Sequence, residues 1–255
     1  MIEVNAMPAR MKNDEVLVIG NKPYQKLSLD KLIDSFCNNV RCNFSLPGLN
    51  NGSLFDELAL CNHMYDNLVV NDRGIEKIMD AYDGVFDIEY TKKYFHKYKE
   101  NLSKYNRVYH AQFDTPRQNS FLRSMGCPYY FEGPFVARTG LTVIIENLLK
   151  DNKVFVTNFS IKKEIRYSHY IQKSHSEKEF KSEENKRQGR PELVPFCHNT
   201  DNEIKILSWL HQSKTIDATL CMLRDETEPI LECKGMKPSA IIIDKLKKEF
   251  GKIKI

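Results

Sequence analysis

Glu15-Val-Leu-Val-Ile-Gly20 is an unbroken apolar, mostly β-branched run closed by glycine. That is the pattern of a parallel strand buried on both faces. Asn21-Lys22-Pro23 follows as a turn, and Ser28 to Asp34 reads as a short helix with Ser28 as its cap. Val40 to Phe44 is a second strand candidate, and Asp56 to Asn62 ends in a third. Strand, turn, helix, strand opens an α/β domain with a parallel sheet. Aromatics at 90, 94 and 98 place a stripe on a helix over Tyr90–Glu100, a packing pattern before it is a base-stacking one. Leu141 to Lys150 has apolar residues at 141, 144, 145, 148 and 149, one helical face. Val154 to Thr157 is the next strand, Glu203 to His211 a helix, and Thr215 to Leu223 a late strand. In the tail, Ile242, Leu246, Phe250 and Ile253 share one face, and five lysines lie between 245 and 254. That face either docks on the core or lies on an anionic membrane, and the sequence leaves the two level.

One stretch breaks the periodicity. Of the 17 residues from Ser174 to Arg190, nine are charged and only Phe180 is strongly apolar. It buries too little to order itself, so a lid or a solvated insertion is expected there.

Composition narrows the class. The chain has 255 residues, 41% hydrophobic and 28% charged, with a net charge of +4. That length builds a core without staples and excludes a fibrous or wholly disordered protein. The charge balance is no nucleic-acid footprint. Seven cysteines, none spaced as CxxC, read as free thiols in a reducing compartment. No apolar run reaches the roughly 18 residues of a membrane span, and the polar start shows no signal peptide. The expected location is cytoplasmic, with peripheral contact at the inner membrane face as a further option.

The familiar site motifs are missing. Gly20-Asn-Lys-Pro-Tyr24 is no G-x-G-x-x-G, and a P-loop, a G-x-S-x-G elbow and a D-x-D pair are all absent. No zinc spacing is present, so no metal site is expected. What remains is a constellation. Asn21, Asn43 and Asn62 each follow a strand-like run, and C-terminal strand ends of a parallel sheet share the ligand-binding edge. Carboxamides donate and accept, which suits a ribose, a phosphate or a cytosine edge, although asparagine also favours turns. Arg138-Thr139-Gly140 opens a helix, where backbone N–H groups favour an anion.

In order, Val18-Ile-Gly-Asn-x-Pro23, Val40-Arg-Cys-Asn43, Arg138-Thr-Gly140 and His198-Asn-Thr-Asp-Asn-Glu-Ile-Lys205 resemble the bacterial lipooligosaccharide sialyltransferases, glycosyltransferase family 42. The resemblance spans about residues 15 to 223, with a poorly matched middle. His198 to Glu203 also fits the H-x-x-x-x-E pattern of animal sialyltransferases. The resemblance implies a single Rossmann-like, GT-A-variant domain with a mainly parallel sheet. It implies inverting, metal-independent transfer from a CMP-sugar, usually CMP-sialic acid, to a hydroxyl of a terminal, galactose-type sugar of a surface glycolipid or polysaccharide. No cofactor is implied beyond that donor substrate. Carried over by position, Asn21, Asn43 and Asn62 contact nucleotide and phosphate, and Thr139 and Gly140 hold the donor at the helix start, with Arg138 beside them. His198 is the general base, with His169 and His175 as rivals. Tyr167 and Tyr170 stabilise the departing phosphate.

The departures are specific. Lys22 stands for the family's second glycine, Tyr24 for its serine, and Thr139 keeps a hydroxyl where the family has serine. The family's arginine falls on Val136, and its first tyrosine falls near Lys163, a cation able to neutralise phosphate. These leave open a CMP-Kdo or other CMP-nonulosonate donor, and a nucleotide-binding module without turnover. The expected division is a catalytic domain over 1–173 and 191–237, a lid over 174–190 and a basic amphipathic tail over 238–255. The expected partners are the CMP-sugar, the glycan acceptor and, through the tail, a membrane surface. Nucleic acid is not expected, and self-association as a homo-oligomer is.

Overall fold

The Val16–Ile19 run is almost completely buried, and the sheet extends to both sides of it. A computed structural model describes residues 14–21, 27–43, 45–48, 51–70, 98–133, 135–161, 200–223, 229–232 and 235–254. Its strands are β1 (Glu15–Ile19), β2 (Asn39–Cys42), β3 (Glu57–Leu60), β4 (Arg107–His110), β5 (Lys153–Thr157) and β6 (Ile216–Asp217). They form one six-stranded sheet in the order β4-β3-β2-β1-β5-β6. Every pairing is parallel.

The helices are α1 (Asp30–Asp34), α2 (Asn62–Tyr65), α3 (Thr115–Ser124), α4 (Thr139–Leu148), α5 (Thr200–Gln212) and α6 (Ala240–Phe250). The chain steps from β1 out to β4 in one direction and returns to β5 on the other side of β1. Right-handed crossovers then place α1 and α4 on opposite faces of the sheet. This is a doubly wound, Rossmann-like α/β fold, as the strand pattern predicts. Its order reverses between β1 and β5, which opens a crevice outside their carboxyl ends.

Burial follows the pattern of apolar positions. Leu17, Val18, Ile19, Val143, Ile144, Ile145 and Val156 are fully inaccessible. A smaller apolar cluster of Leu46, Leu58, Leu60, Met64, Leu68, Tyr98 and Tyr105 fills the β3–β4 end. Cys42, Cys127 and Cys221 are buried and pack as small apolar residues.

Two expectations need correction, and two other stretches gain detail. Ser28 does not cap α1: the helix starts after Leu29, and Ser28 Oγ donates instead to Asp30 Oδ2 at 2.9 Å. The late strand over 215–223 lasts only two residues. Asp217 Oδ1 accepts from Thr219 N at 3.0 Å, and this local turn diverts the chain into a 3₁₀ helix, Thr219–Met222. The middle of the chain holds β4 and α3, which its apolar pattern does not announce. The tail docks: α6 packs against α1, with Ile242 and Leu246 completely buried. Burying two such side chains is worth about 3–6 kcal/mol, so this face is spent on the core and not offered to lipid. No helix among the described residues is long and apolar enough to cross a membrane. Of the expected helix over Tyr90–Glu100, only the last turn falls among the described residues; the expected lid over 174–190 lies outside them.

Candidate functional site

The carboxyl ends of four adjacent strands finish in asparagine. Asn21 follows β1, Asn43 follows β2, Asn62 follows β3, and Asn158 follows β5. Parallel pairing puts all four on one edge. Two of them, Asn43 and Asn158, adopt φ values of 48° and 61°, a left-handed turn that asparagine tolerates better than most residues. Both strands therefore turn sharply at this edge.

The β1 and β5 ends approach closely at the switch point. Gly20 N donates to Thr157 O at 2.9 Å, and a Cβ on Gly20 would lie 2.3 Å from the Asn158 carbonyl oxygen. Only glycine fits there. Gly140 has a similar reason: its Cβ would meet the Phe159 ring at 2.2 Å. The glycines of both motifs thus let α4 and the two strand ends converge.

Asn43 ties this edge together. Its Nδ2 donates to Thr139 Oγ1 at 3.1 Å, across 96 residues of sequence. Its Oδ1 accepts from Cys61 N at 2.9 Å, and its carbonyl accepts from the Tyr98 hydroxyl. Asn21 is different. Its Oδ1 is buried and finds no hydrogen-bond donor among the described residues. A buried acceptor without a donor is uncommon in a folded chain and marks a place where a ligand or water completes the bonding. Asn62, by contrast, is exposed at the start of α2.

Arg138 caps α4 in an extended conformation and supplies no side-chain cap bond of its own. Its backbone N–H donates to Glu203 Oε1 at 2.7 Å, and its Nε lies 3.6 Å from Glu203 Oε2. Glu203 is only 6% exposed. Burial pushes its carboxyl up to about 7, against the opposing pull of the Arg138 guanidinium. One carboxylate thus fastens the start of α5 to the start of α4.

His110 ends β4 at the same edge. Its ring lies 5.9 Å from Tyr65 and 6.2 Å from Phe113, and its Nε2 is buried with no partner among the described residues. On α4, burial raises the Glu146 carboxyl, while the Gln112 N–H and nearby Lys150 and His110 pull it back.

Six of the expected site residues can therefore be placed. Asn43 and Thr139 are in direct contact, Gly140 and Arg138 adjoin them on α4, Asn21 flanks the β1–β5 crevice, and Asn62 lies at the β3 end. His198, Tyr167, Tyr170 and Lys163, with the rivals His169 and His175, lie outside the described residues. Sequence reasoning missed Asn158 and His110. The Asn158 signal was available, because Thr157-Asn-Phe repeats the strand-then-asparagine pattern. His110 carried none, since Arg107-Val-Tyr-His has one strongly apolar residue in four. Among the described residues, no group of three or more His, Cys, Asp or Glu side chains is arranged to hold a metal ion.

No protein-family model and no curated protein matches the sequence. Among solved structures, the chain is similar to a mammalian sialyltransferase crystallised with Gal-beta-1-3GalNAc-ortho-nitrophenol. The likeness covers 81% of this chain and 69% of that one, at 13% identity and a TM-score of 0.42. A likeness at that level leaves fold and activity to be argued from the chain's own residues.

Proposed function

We propose that the protein is a CMP-sugar-dependent glycosyltransferase of the sialyltransferase type, acting by inversion and without a metal. The observation that carries this reading is the Asn21 carboxamide oxygen, buried without a donor beside the β1–β5 crevice. A ribose hydroxyl or a cytosine amino group would supply the missing donor. The lashing of Asn43 to Thr139 supports it, because it fixes the α4 start against the strand ends before any ligand arrives.

In this reading Asn21, Asn43 and Asn62 face the nucleotide, and Arg138, Thr139 and Gly140 hold the donor at the α4 start. The acceptor hydroxyl oxygen attacks the anomeric carbon while His198 takes its proton. The bond from that carbon to the CMP phosphate oxygen breaks, and CMP leaves with the electron pair. Tyr167, Tyr170 and Lys163 meet the charge that develops on the phosphate. The donor class rests on the family resemblance, and sialic acid is its first candidate.

Calorimetric titration with CMP, paired with assays of CMP-sialic acid hydrolysis and transfer, tests the reading. Saturable CMP binding with turnover that persists in EDTA is expected. His198→Ala should lower kcat by about 10²–10⁴. A loss below about tenfold removes His198 from the mechanism. Binding without turnover, across acceptors and CMP-sugars, would instead assign a nucleotide-binding module.

A further inference from the structure

A cavity of about 230 Å³ opens between the segment 128–135 and the first turn of α5, lined by Pro128, Tyr129, Tyr130, Glu132, Phe135 and Asn202. We propose that this cavity is the subsite for the terminal hexopyranose of the acceptor, which deepens the reading above and rests on it.

Position comes first. Asn202 immediately precedes Glu203, the carboxylate that holds the Arg138 backbone, and Phe135 lies three residues before Arg138. The cavity and the α4 start therefore share the same two supporting segments. A nucleotide in the β1–β5 crevice lies over the strand ends, whereas this cavity lies beside the start of α5. One fold thus offers two separate places, one for a donor and one for an acceptor.

Size and chemistry come next. The volume falls below the roughly 300–1,000 Å³ of sites for drug-sized ligands and suits a single sugar ring. Tyrosine presents an apolar ring face with a polar rim, which matches the C–H face and hydroxyl edge of a pyranose. Glu132 adds an acceptor, and Asn202 holds the wall in place by donating to Tyr130 O at 2.8 Å.

The walls are fixed in advance. Arg123 lies over the Tyr130 ring at 4.5 Å, and Lys205 over the Tyr129 ring at 5.8 Å. Asn119 clamps the Phe131 backbone twice, donating to its carbonyl at 2.7 Å and accepting from its N–H at 2.8 Å. Rigid walls reduce the ordering that a weakly bound sugar must otherwise bring about.

The test is an amide NMR titration of the full chain with methyl β-D-galactopyranoside, methyl β-D-glucopyranoside and, separately, CMP. The proposal expects saturable shifts from at least one glycoside, centred on residues 129–135 and 202–205, and CMP shifts centred on residues 20–21 and 157–158. Tyr129→Ala and Glu132→Ala should each weaken the glycoside by about tenfold, as loss of one good contact does. Glu132 is exposed, so its replacement leaves the fold in place. In turnover, the same variants should raise the acceptor KM about tenfold and leave the donor KM within about twofold. Glycoside shifts that are absent or lie elsewhere overturn the subsite, as do CMP shifts centred on the cavity. Glycoside binding here by a protein that ignores CMP keeps the sugar site and sinks the donor assignment instead.

Discussion

At the scale of single residues, the Asn43 side chain ties the strand edge to α4. A motif asparagine is readily taken for a ligand contact, yet here its carboxamide is engaged on both sides, by Thr139 and by Cys61. Beside the nucleotide contact proposed above, it positions its neighbours. Asn43→Ala removes two hydrogen bonds and puts alanine at φ 48°. We expect a loss of about 2–4 kcal/mol in urea unfolding. Asn43→Gly keeps the backbone turn and should lose about 1–2 kcal/mol less. Equal losses for the two variants would show that the left-handed turn contributes nothing.

At the scale of elements, the join between α4 and α5 runs through Glu203. The carboxyl titrates near 4.5 when unfolded and is pushed up to about 7 when folded. Its folded form therefore holds a proton that the unfolded form has released. The stabilisation from that proton is fully present below about 4.5 and is lost as pH rises through about 7. Glu203→Gln has no proton to lose. Chemical denaturation across this window should show wild type losing on the order of 3 kcal/mol relative to the variant. Parallel pH profiles for the two proteins would refute the shift. Because Glu203 also carries the Arg138 backbone, the same titration loosens or tightens the α4 start where the donor is proposed to bind.

For the whole molecule, the docked tail matters most. Lysines on a C-terminal amphipathic helix invite a membrane reading, but α6 has already committed its apolar face. Ile242 and Leu246 lie in the main core, and Lys245 reaches back to Ser35 Oγ at 3.2 Å and over the Phe36 ring at 4.8 Å. Leu246→Ala should therefore cost about 2–5 kcal/mol in denaturant midpoint analysis, as core truncations do. Flotation with anionic vesicles should not distinguish it from wild type. Reduced vesicle binding with unchanged stability would restore the membrane helix.

Much of this architecture was legible in residue order. A strand buried on both faces reads as a near-continuous apolar run, so Val16–Ile19 and Val154–Val156 announce themselves, whereas β2 buries Asn39 and Arg41 and shows a weaker signal. The helical face of α4 does the same by its period, and glycine and asparagine mark where the strands turn. β4 gives no such signal, because it is an edge strand only partly covered and so needs little apolar surface. The Asp114 cap and Pro116 mark the start of α3 in the sequence, but its weakly apolar face hides the rest. Sequence alone determined the α/β class, the parallel sheet and the strand-end asparagines, because these depend on local period and turn chemistry. Tertiary structure decided that Asn43 meets Thr139, that Glu203 holds Arg138, that α6 docks and that a sugar-sized cavity lies beside α5. Each of these joins residues far apart in the chain, and only the packing of the sheet and its helices sets which of them touch.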